Sequence, residues 1–448
     1  MSVIAKLGVC LALTWPLAAA AQARDEVLVL QGARVIPVAG PEIARGVIVV
    51  RNGKIEAVGP MDSLRTPSGA RVEDVGGKVI IPGVVDTHSH VGIYPRPAVQ
   101  ANQDGNEMTG PMQPALRAID AIDPSDPGIR MALAGGVTTA NIMPGSGNVM
   151  GGQTAYVKLR GDTVEEMVIP GTIGGMKMAN GENPKRVYGS RTQMPTTRMG
   201  TAALAREIFV RAQEYERSRA RKQEATDTGS GGKGESPPER DLGMEPLVEV
   251  LRGERIVQHH THRADDILTV LRLAREFGFR VVVQHGTEAY KVAGVLAREK
   301  VPVSLIIIDA PGGKHEAADY NPENAAILEK AGVKVAIHTD DFVNPSRFLL
   351  REAALAVRGG MSREGALRAL TLNAAEMLDL GGRIGSIEPG KDADLAVLSG
   401  DPFSVETRVL ATYIEGEKVF DRSRPRDLRY ATGGFGVADR YPTLGGAR

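Results

Sequence analysis

From roughly Val79 to Leu370 the chain alternates short apolar runs with helical patterns, and this alternation limits its fold more than any other feature. "RIVQHHTH" leads into "ADDILTVLRLAREFG", "FRVVVQHG" into "EAYKVAGVLAREK", and "VPVSLII" into "NPENAAILEKAG" and then "VKVAIHTDD". Ile267, Val270, Leu271, Ala274 and Phe277 recur at helical spacing, and Gly278 stops that helix. The strand-like runs are apolar on both faces, as in a parallel sheet covered by helices on both sides. Roughly 290 residues of this pattern predict an α/β fold, a TIM-like (β/α)8 barrel over residues 81–380. A doubly wound sheet is the alternative.

The two ends differ from the middle. "VLVLQGARVIPV" and "GVIVVRNGKIEAVG", with an Asn52-Gly53 turn, read as short strands. "GSIEPGKDADLAVLSG" and "TRVLATYIEGEKVFD" repeat that character near the other end. A small β-sandwich domain built from residues 24–80 and 381–424 is expected, bracketing the barrel. Residues 213–245 break the pattern with charge, Gly, Ser and Pro, and read as a mobile surface insertion. Residues 425–448 read as a loosely ordered tail.

The first 23 residues read as a secretory signal: Lys6, an apolar run from Leu7 to Ala21, and an Ala21-Gln22-Ala23 cleavage site. The run is shorter than the ~20 residues of a spanning helix, so no stable membrane anchor is expected. The expected location is secreted or periplasmic. The single cysteine, Cys10, lies in this segment. Val9 before it, and the apolar run beyond it, argue against a lipoprotein signal. Cleavage after Ala23 leaves no cysteine to act as nucleophile or ligand. Lys plus Arg and Asp plus Glu both total 54, which leaves no footprint for nucleic acid or an anionic membrane. Only 4% of residues are aromatic, too few for base-stacking platforms. The expected partner is a small-molecule or short-peptide substrate, and association with copies of itself stays open.

The histidines fall at strand ends. His88 and His90 close "GVVDTHSH", and their i, i+2 spacing puts both on one face of a strand. His260 and His262 repeat this in "RIVQHHTH", while His259 points to the other face and reads as structural. His285 ends "FRVVVQHG" and Asp340 ends "VKVAIHTD". The C-terminal rim of a parallel barrel is where such a fold places its chemistry. One strand-end histidine is ordinary, but packing gives no reason to gather five with an aspartate. Imidazole and carboxylate donors without thiolate suit Zn²⁺, and also Mn²⁺, Fe²⁺ or Co²⁺. His338, two residues before Asp340, reads as a core residue or as one that orients a ligand, and His315 as a loop residue. Asp265 and Asp266 read as N-caps of the following helix. "PGSGNVMGGQTAY" (144–156) lacks the Gly-Lys-Ser/Thr of a phosphate loop and reads as a tight rim loop. Arg186, Arg191, Arg263 and Lys314 follow strands, and any of them could hold a substrate carboxylate.

"IPGVVDTHSHVG", "VQHHTHRADDI", "VVVQHGTE" and "VAIHTDD" together resemble the amidohydrolase superfamily, most closely its exported imidazolonepropionase-like members. "DGNEMTGPMQP", "MKMANGENPKRVYGSR" and "GSIEPGKDADLAVL" share the resemblance. It implies that His88 and His90 hold the more buried of one or two ions, and that His260 and His285 hold a second or complete a single site. It implies that Asp340 is both metal ligand and proton shuttle, and that the first histidine of the fifth-strand pair is the ligand. His262 is then left as a catalytic residue that contacts substrate or oxyanion. A fourth-strand ligand is expected too: Glu182, anionic without modification, or Lys177, which would need carboxylation.

The expected activity is metal-dependent hydrolysis of an amide or cyclic-amide C–N bond by metal-activated water. An exported metallo-dipeptidase-like hydrolase is the alternative. A catalytically silent binding scaffold is a third reading, disfavoured because the ligand set is complete.

Overall fold

A computed structural model describes residues 26–227, 239–308 and 313–433. Five strands come first: β1 (Val27–Val35), β2 (Ile43–Arg51), β3 (Lys54–Pro60), β4 (Arg71–Asp74) and β5 (Val79–Pro82). Nine follow in the central region: β6 (Val84–Ser89), β7 (Val137–Ile142), β8 (Met150–Gln153), β9 (Ala155–Lys158), β10 (Met176–Ala179), β11 (Val257–Thr261), β12 (Val281–His285), β13 (Val303–Ile306) and β14 (Val335–His338). The last are β15 (Leu395–Leu398), β16 (Val409–Ile414) and β17 (Glu417–Asp421).

Both chain ends build one sheet, in the order β17-β16-β15-β5-β1-β2-β3, with β4 beside β1. The antiparallel pair β5 and β15, with Ile81 opposite Ala396, joins the two ends. Side-chain alternation sorts β1: Leu28 and Leu30 enter one apolar cluster, Val27 and Val29 another. The run "VIIPGVV" is therefore two strands belonging to different layers. The break falls at Gly83, where a Cβ would lie 2.3 Å from Thr138 Oγ1. Only glycine lets β6 leave the terminal sheet so close to β7.

The central strands form an α/β, TIM-barrel-like fold. β10 to β14 pair in parallel, as do β6 and β7. The first and last strands meet through Asp340 N–H to His88 O (3.0 Å) and His90 N–H to Asp341 O (3.1 Å). At the third position the wall runs backwards: β8 is antiparallel to β10 and β9 antiparallel to β7, with only Thr154 between them. The expected rim loop over 144–156 is thus corrected from Met150 onward. "MGGQTAYVK" offers little apolar signal, and its pairing comes entirely from its neighbours.

The insertion and the tail also need correction. Residues 213–227 continue a helix, Arg198–Asp227. Ala205, Ile208, Phe209 and Ala212 on that helix pack with Leu247, Val250, Phe277 and Phe279. Tyr215 Oη, beyond them, accepts a hydrogen bond from the Asp241 amide at 3.1 Å. The charged sequence is thus the solvent side of an anchored helix, and only 228–238 lie outside the described residues. In the tail, Pro425–Thr432 is helical, and Arg347 donates to Tyr430 O (3.1 Å) and Gly433 O (2.8 Å). Residues 434–448 and the expected signal lie outside the described residues. No described helix is long and apolar enough to cross a membrane.

Lys158, at the end of β9, ties the barrel to the terminal sheet. It is 1% exposed, and its ammonium lies 2.5 Å from Asp392, 3.2 Å from Asp394 and 2.9 Å from Glu415. Arg383 also reaches Asp392 at 2.7 Å. Removing one partner of a buried ion pair strands the others without water. Lys158→Met should therefore lower unfolding free energy by about 3–5 kcal/mol, measured by urea denaturation. Burial alone would raise the Asp392 carboxyl, but Lys158, Lys54 and Arg383 outweigh it and hold it near about 2. A folded value below the ordinary 3.8 means its contribution is complete above pH ~4 and fades as pH falls toward 2. That acid-dependent part of the stability should shrink in the Lys158→Met variant, where Lys54 and Arg383 remain as partners of Asp392.

Candidate metal centre

β6, β11, β12 and β14 deliver their terminal side chains to one end of the barrel. Among the described residues, three groups of donor atoms result, each lying within 4.8 Å of one another: His88, His90 and Asp340 in one cluster; His260, His262 and His285 in another; and His88, His285 and His338, which shares a residue with each. The rings of His88 and His285, 4.7 Å apart, join them. His285 and Asp340 both have left-handed backbone, with φ of 70° and 51°. Side-chain-bearing residues rarely adopt it, and at site residues it marks a conformation imposed by the surroundings.

The imidazoles are aimed by their second nitrogens. His88 Nδ1 lies 3.2 Å from Gln284 Oε1, His90 Nδ1 2.6 Å from Met143 O, and His262 Nδ1 2.7 Å from Thr287 Oγ1. With the Nδ1 proton held there, Nε2 turns its lone pair inward, as metal-binding histidines do. His338 Nε2 lies 3.2 Å from His285 Nδ1, and its own Nδ1 2.8 Å from Ser304 Oγ. It orients His285, one of its two expected roles. His259 turns away, its Nδ1 3.1 Å from His260 O.

Burial pushes the pKa of His88, His260 and His285 well below the ordinary imidazole range, and that of His262 down to about 3. These imidazoles are neutral at physiological pH, the form that binds metal. Burial pushes Asp340 the other way, but the His90 hydrogen bond and the charges of His90 and Lys177 outweigh it, leaving its carboxyl below the usual range.

The donor set fits a divalent cation. His260 Nε2, His262 Nε2 and His285 Nε2 are buried with no hydrogen-bond partner. Native interiors seldom leave such groups unmet without a water or an ion. His90 Nε2 and His88 Nε2 lie 3.0 and 3.3 Å from Asp340 Oδ1. Ligand bonds of 2.0–2.1 Å in a tetrahedron give edges of about 3.3–3.4 Å, so this cluster is already spaced for an ion.

Of the two fourth-strand candidates, only Lys177 enters the site. Its Nζ is 2.9 Å from His88 Nε2 and 3.1 Å from Met143 Sδ, and burial lowers its pKa to about 7. Glu182 instead opens the helix Glu182–Gly189, outside both clusters, and its amide donates to Glu316 Oε2 at 2.7 Å.

Above the clusters lies a cavity of about 700 Å³, lined by His90, His260 and Asp340 at its base. Tyr94, Phe342 and Val343 form part of its wall, and Arg186, Arg191 and Lys314 another part. Arg191 donates to Met108 O. Arg263, the other arginine expected to reach substrate, lies outside this lining, and its guanidinium pairs with Asp265 at 2.9 Å. The capping expectation is corrected. Asp265 and Asp266 sit in the first turn, Asp266 pairs with Arg198 at 2.9 Å, and Glu288 accepts the Ala264 amide at 2.9 Å. Both acids still complement the helix dipole there.

Sequence reasoning missed Glu316, which is 2% exposed beside His260 and His262. It follows His315, which is exposed in the same loop. Its position after a barrel strand was the available signal.

The amidohydrolase family model matches residues 242–420. A crystallised amidohydrolase from Thermotoga maritima is 43% identical over 88% of this chain and all of that one, with a TM-score of 0.83. Amidohydrolase tasK of Hapsidospora irregularis is 33% identical over 84% of this chain, which spans only 40% of that protein's length. An imidazolonepropionase of Symbiobacterium thermophilum is 25% identical over 86% of this chain and 92% of its own. With these likenesses and this rim of histidines, the chain belongs to the amidohydrolase superfamily, metal-dependent hydrolases that act on carbon–nitrogen bonds.

Proposed function

We propose that this chain hydrolyses an amide or cyclic-amide C–N bond with one or two divalent ions, Zn²⁺ the best fit, and Asp340 as proton shuttle. The carrying observation is the convergence of His88, His90 and Asp340 beside three unpartnered imidazole nitrogens at the base of the cavity. His88, His90 and Asp340 would hold one ion, and His260 and His285 a second. A bound divalent ion supplies a lowered water pKa and a polarised substrate carbonyl. Asp340, at the cavity base, accepts the proton that water gives up and delivers it to the leaving nitrogen. That delivery matters because an amide anion is a very poor leaving group. His262 belongs to the second cluster, beside His260 and His285.

Lys177 extends this reading. An amine with a pKa near 7 is about half unprotonated at neutral pH, and that form can attack carbon dioxide. The N–C bond forms as one C=O π bond of carbon dioxide opens, the nitrogen gives its proton to water, and the resulting carbamate would offer its oxygens beside His88. The first 23 residues are read as an export signal, and residues 24–80 with 381–424 as the sandwich-like β domain.

A dipeptidase-like variant of this reading has its own support. Arg186 lines the cavity with no ion pair among the described residues, so it is free to hold a substrate carboxylate.

Chelator-sensitive hydrolysis on a panel of N-acyl amino acids, dipeptides and cyclic amides tests the function. A metal-replete protein inactive across the panel would sink it. Asp340→Asn should lower kcat by roughly 10²–10⁴-fold, the span of general acid–base catalysis, with unchanged circular dichroism. Metal loading with ¹³C-bicarbonate should give a carbamate carbon signal by NMR that Lys177→Met abolishes. No signal in the wild type would remove the carbamate. Arg186→Gln should raise KM about tenfold for carboxylate-bearing dipeptides, the loss of about 1.4 kcal/mol of a charge-assisted contact, and spare neutral cyclic amides. Equal effects on both would remove the dipeptidase-like reading.

A further inference from the structure

The metal dependence proposed above leaves two groups unexplained. Glu316 Oε1 is buried without a hydrogen-bond partner, and so is His262 Nε2. They face each other at 3.7 Å, and Glu316 Oε1 lies 3.9 Å from His260 Nε2 and from Lys314 Nζ. These distances are too long for hydrogen bonds. Glu316 is therefore a carboxylate taken out of water with one oxygen left unmet, an arrangement that burial penalises.

Its aim is not accidental. Oε2 accepts the Glu182 amide at 2.7 Å, immediately after Gly181. Gly181 has φ of +78°, and a Cβ there would lie 2.2 Å from Glu316 Oε2. The loop after β10 thus carries a glycine where Glu316 needs room and an amide where it needs a donor. With Oε2 fixed, Oε1 points at His260 and His262. His262 is fixed in turn by Thr287, and His285 by His338.

We propose that His260, His262, His285 and Glu316 form a four-donor cation site, with Glu316 Oε1 as its carboxylate ligand. Three imidazoles and one carboxylate satisfy a tetrahedral divalent ion, Zn²⁺ or Co²⁺. Glu316 Oε1 stands 3.7 and 3.9 Å from His262 and His260 Nε2, wider than the ~3.3–3.4 Å edges of a zinc tetrahedron, so the donors must draw inward around the ion. The site is distinct from the His88, His90 and Asp340 cluster, and it makes His262 a ligand where the family resemblance assigned only His260 and His285.

Equilibrium dialysis of the full chain against Zn²⁺, with metal counted by mass spectrometry, tests this without any substrate. Titration with Co²⁺, followed by visible absorption, reports ligand geometry. The wild type should bind two ions, and Glu316→Gln should weaken one of them at least about 100-fold, the upper end of the loss for even an outer partner. Its Co²⁺ spectrum should lose one tetrahedral component. His262→Asn should lose the same ion, which keeps the test decisive if the Glu316→Gln chain does not fold. Gly181→Ala should weaken it too, by displacing Oε2. If the wild type binds no metal, the proposed function fails as a whole. If it binds two ions and both Glu316→Gln and His262→Asn keep them with wild-type affinity and spectrum, this site alone is overturned.

Discussion

The site depends on one closure, the meeting of β6 with the segment that follows β14. Asp86, fully buried on β6, is its centre. Its Oδ1 accepts the amides of His88 (3.2 Å) and Thr339 (3.3 Å), and its Oδ2 accepts the hydroxyls of Thr339 and Ser346. Asp341 accepts the Ser346 amide at 2.6 Å and pairs with Arg96. One carboxylate therefore sets the separation between the strand that carries His88 and His90 and the loop that carries Asp340. Burial raises the Asp86 carboxyl to about 7, against the lowering pull of the Thr339 hydroxyl and the His88 and Thr339 amides. A dry junction makes each of those hydrogen bonds stiffer than it would be at the surface.

The same dryness organises the histidines. Charged imidazoles this close would repel one another, but burial keeps them neutral, and neutral rings can pack at centroid distances of 4.3–4.9 Å. Neutrality alone leaves their inward nitrogens unmet, which is unfavourable in a low-dielectric interior. A cation relieves that cost and binds only the folded arrangement. Metal loading should therefore stabilise the fold by linkage as well as enable chemistry.

The fold and the site were unequally legible in the sequence. Apolar strand runs followed by helical periodicity exposed the parallel wall because burial on both faces writes itself into composition. The strand-end histidines were legible for the same reason: alternation fixes which side chains share a face, so His259 separates from His260 and His262. The antiparallel segment β8–β9 was not legible, because "MGGQTAYVK" has no periodicity of its own. The helix through residues 213–227 was obscured by its charged outer face, although Phe209 and Ala212 anchor it one turn earlier. Ready charge favours Glu182 over Lys177 in the sequence, and the structure reverses that order, since five residues along the chain put Lys177 inside the wall and Glu182 beyond its rim. Glu316 was missed because its partners, Gly181 and His262, are far away in sequence.

Backbone strain points the same way as the side chains. Left-handed backbone costs a residue with a Cβ roughly 1–2 kcal/mol, and both His285 and Asp340 adopt it. Neither follows from its own local sequence. Each sits where a strand must end abruptly so that its side chain turns inward instead of continuing the wall. The Asp340 amide is held by His88 O, and the Gly286 amide, just past His285, by Thr261 O. Neighbouring strands thus hold the two strained residues in place. The strain is distributed over the junction of β6 with the segment after β14, so a substitution at Asp86 should disturb Asp340 without touching it. In this fold, the second layer of hydrogen bonds is what makes a rim of histidines into a site.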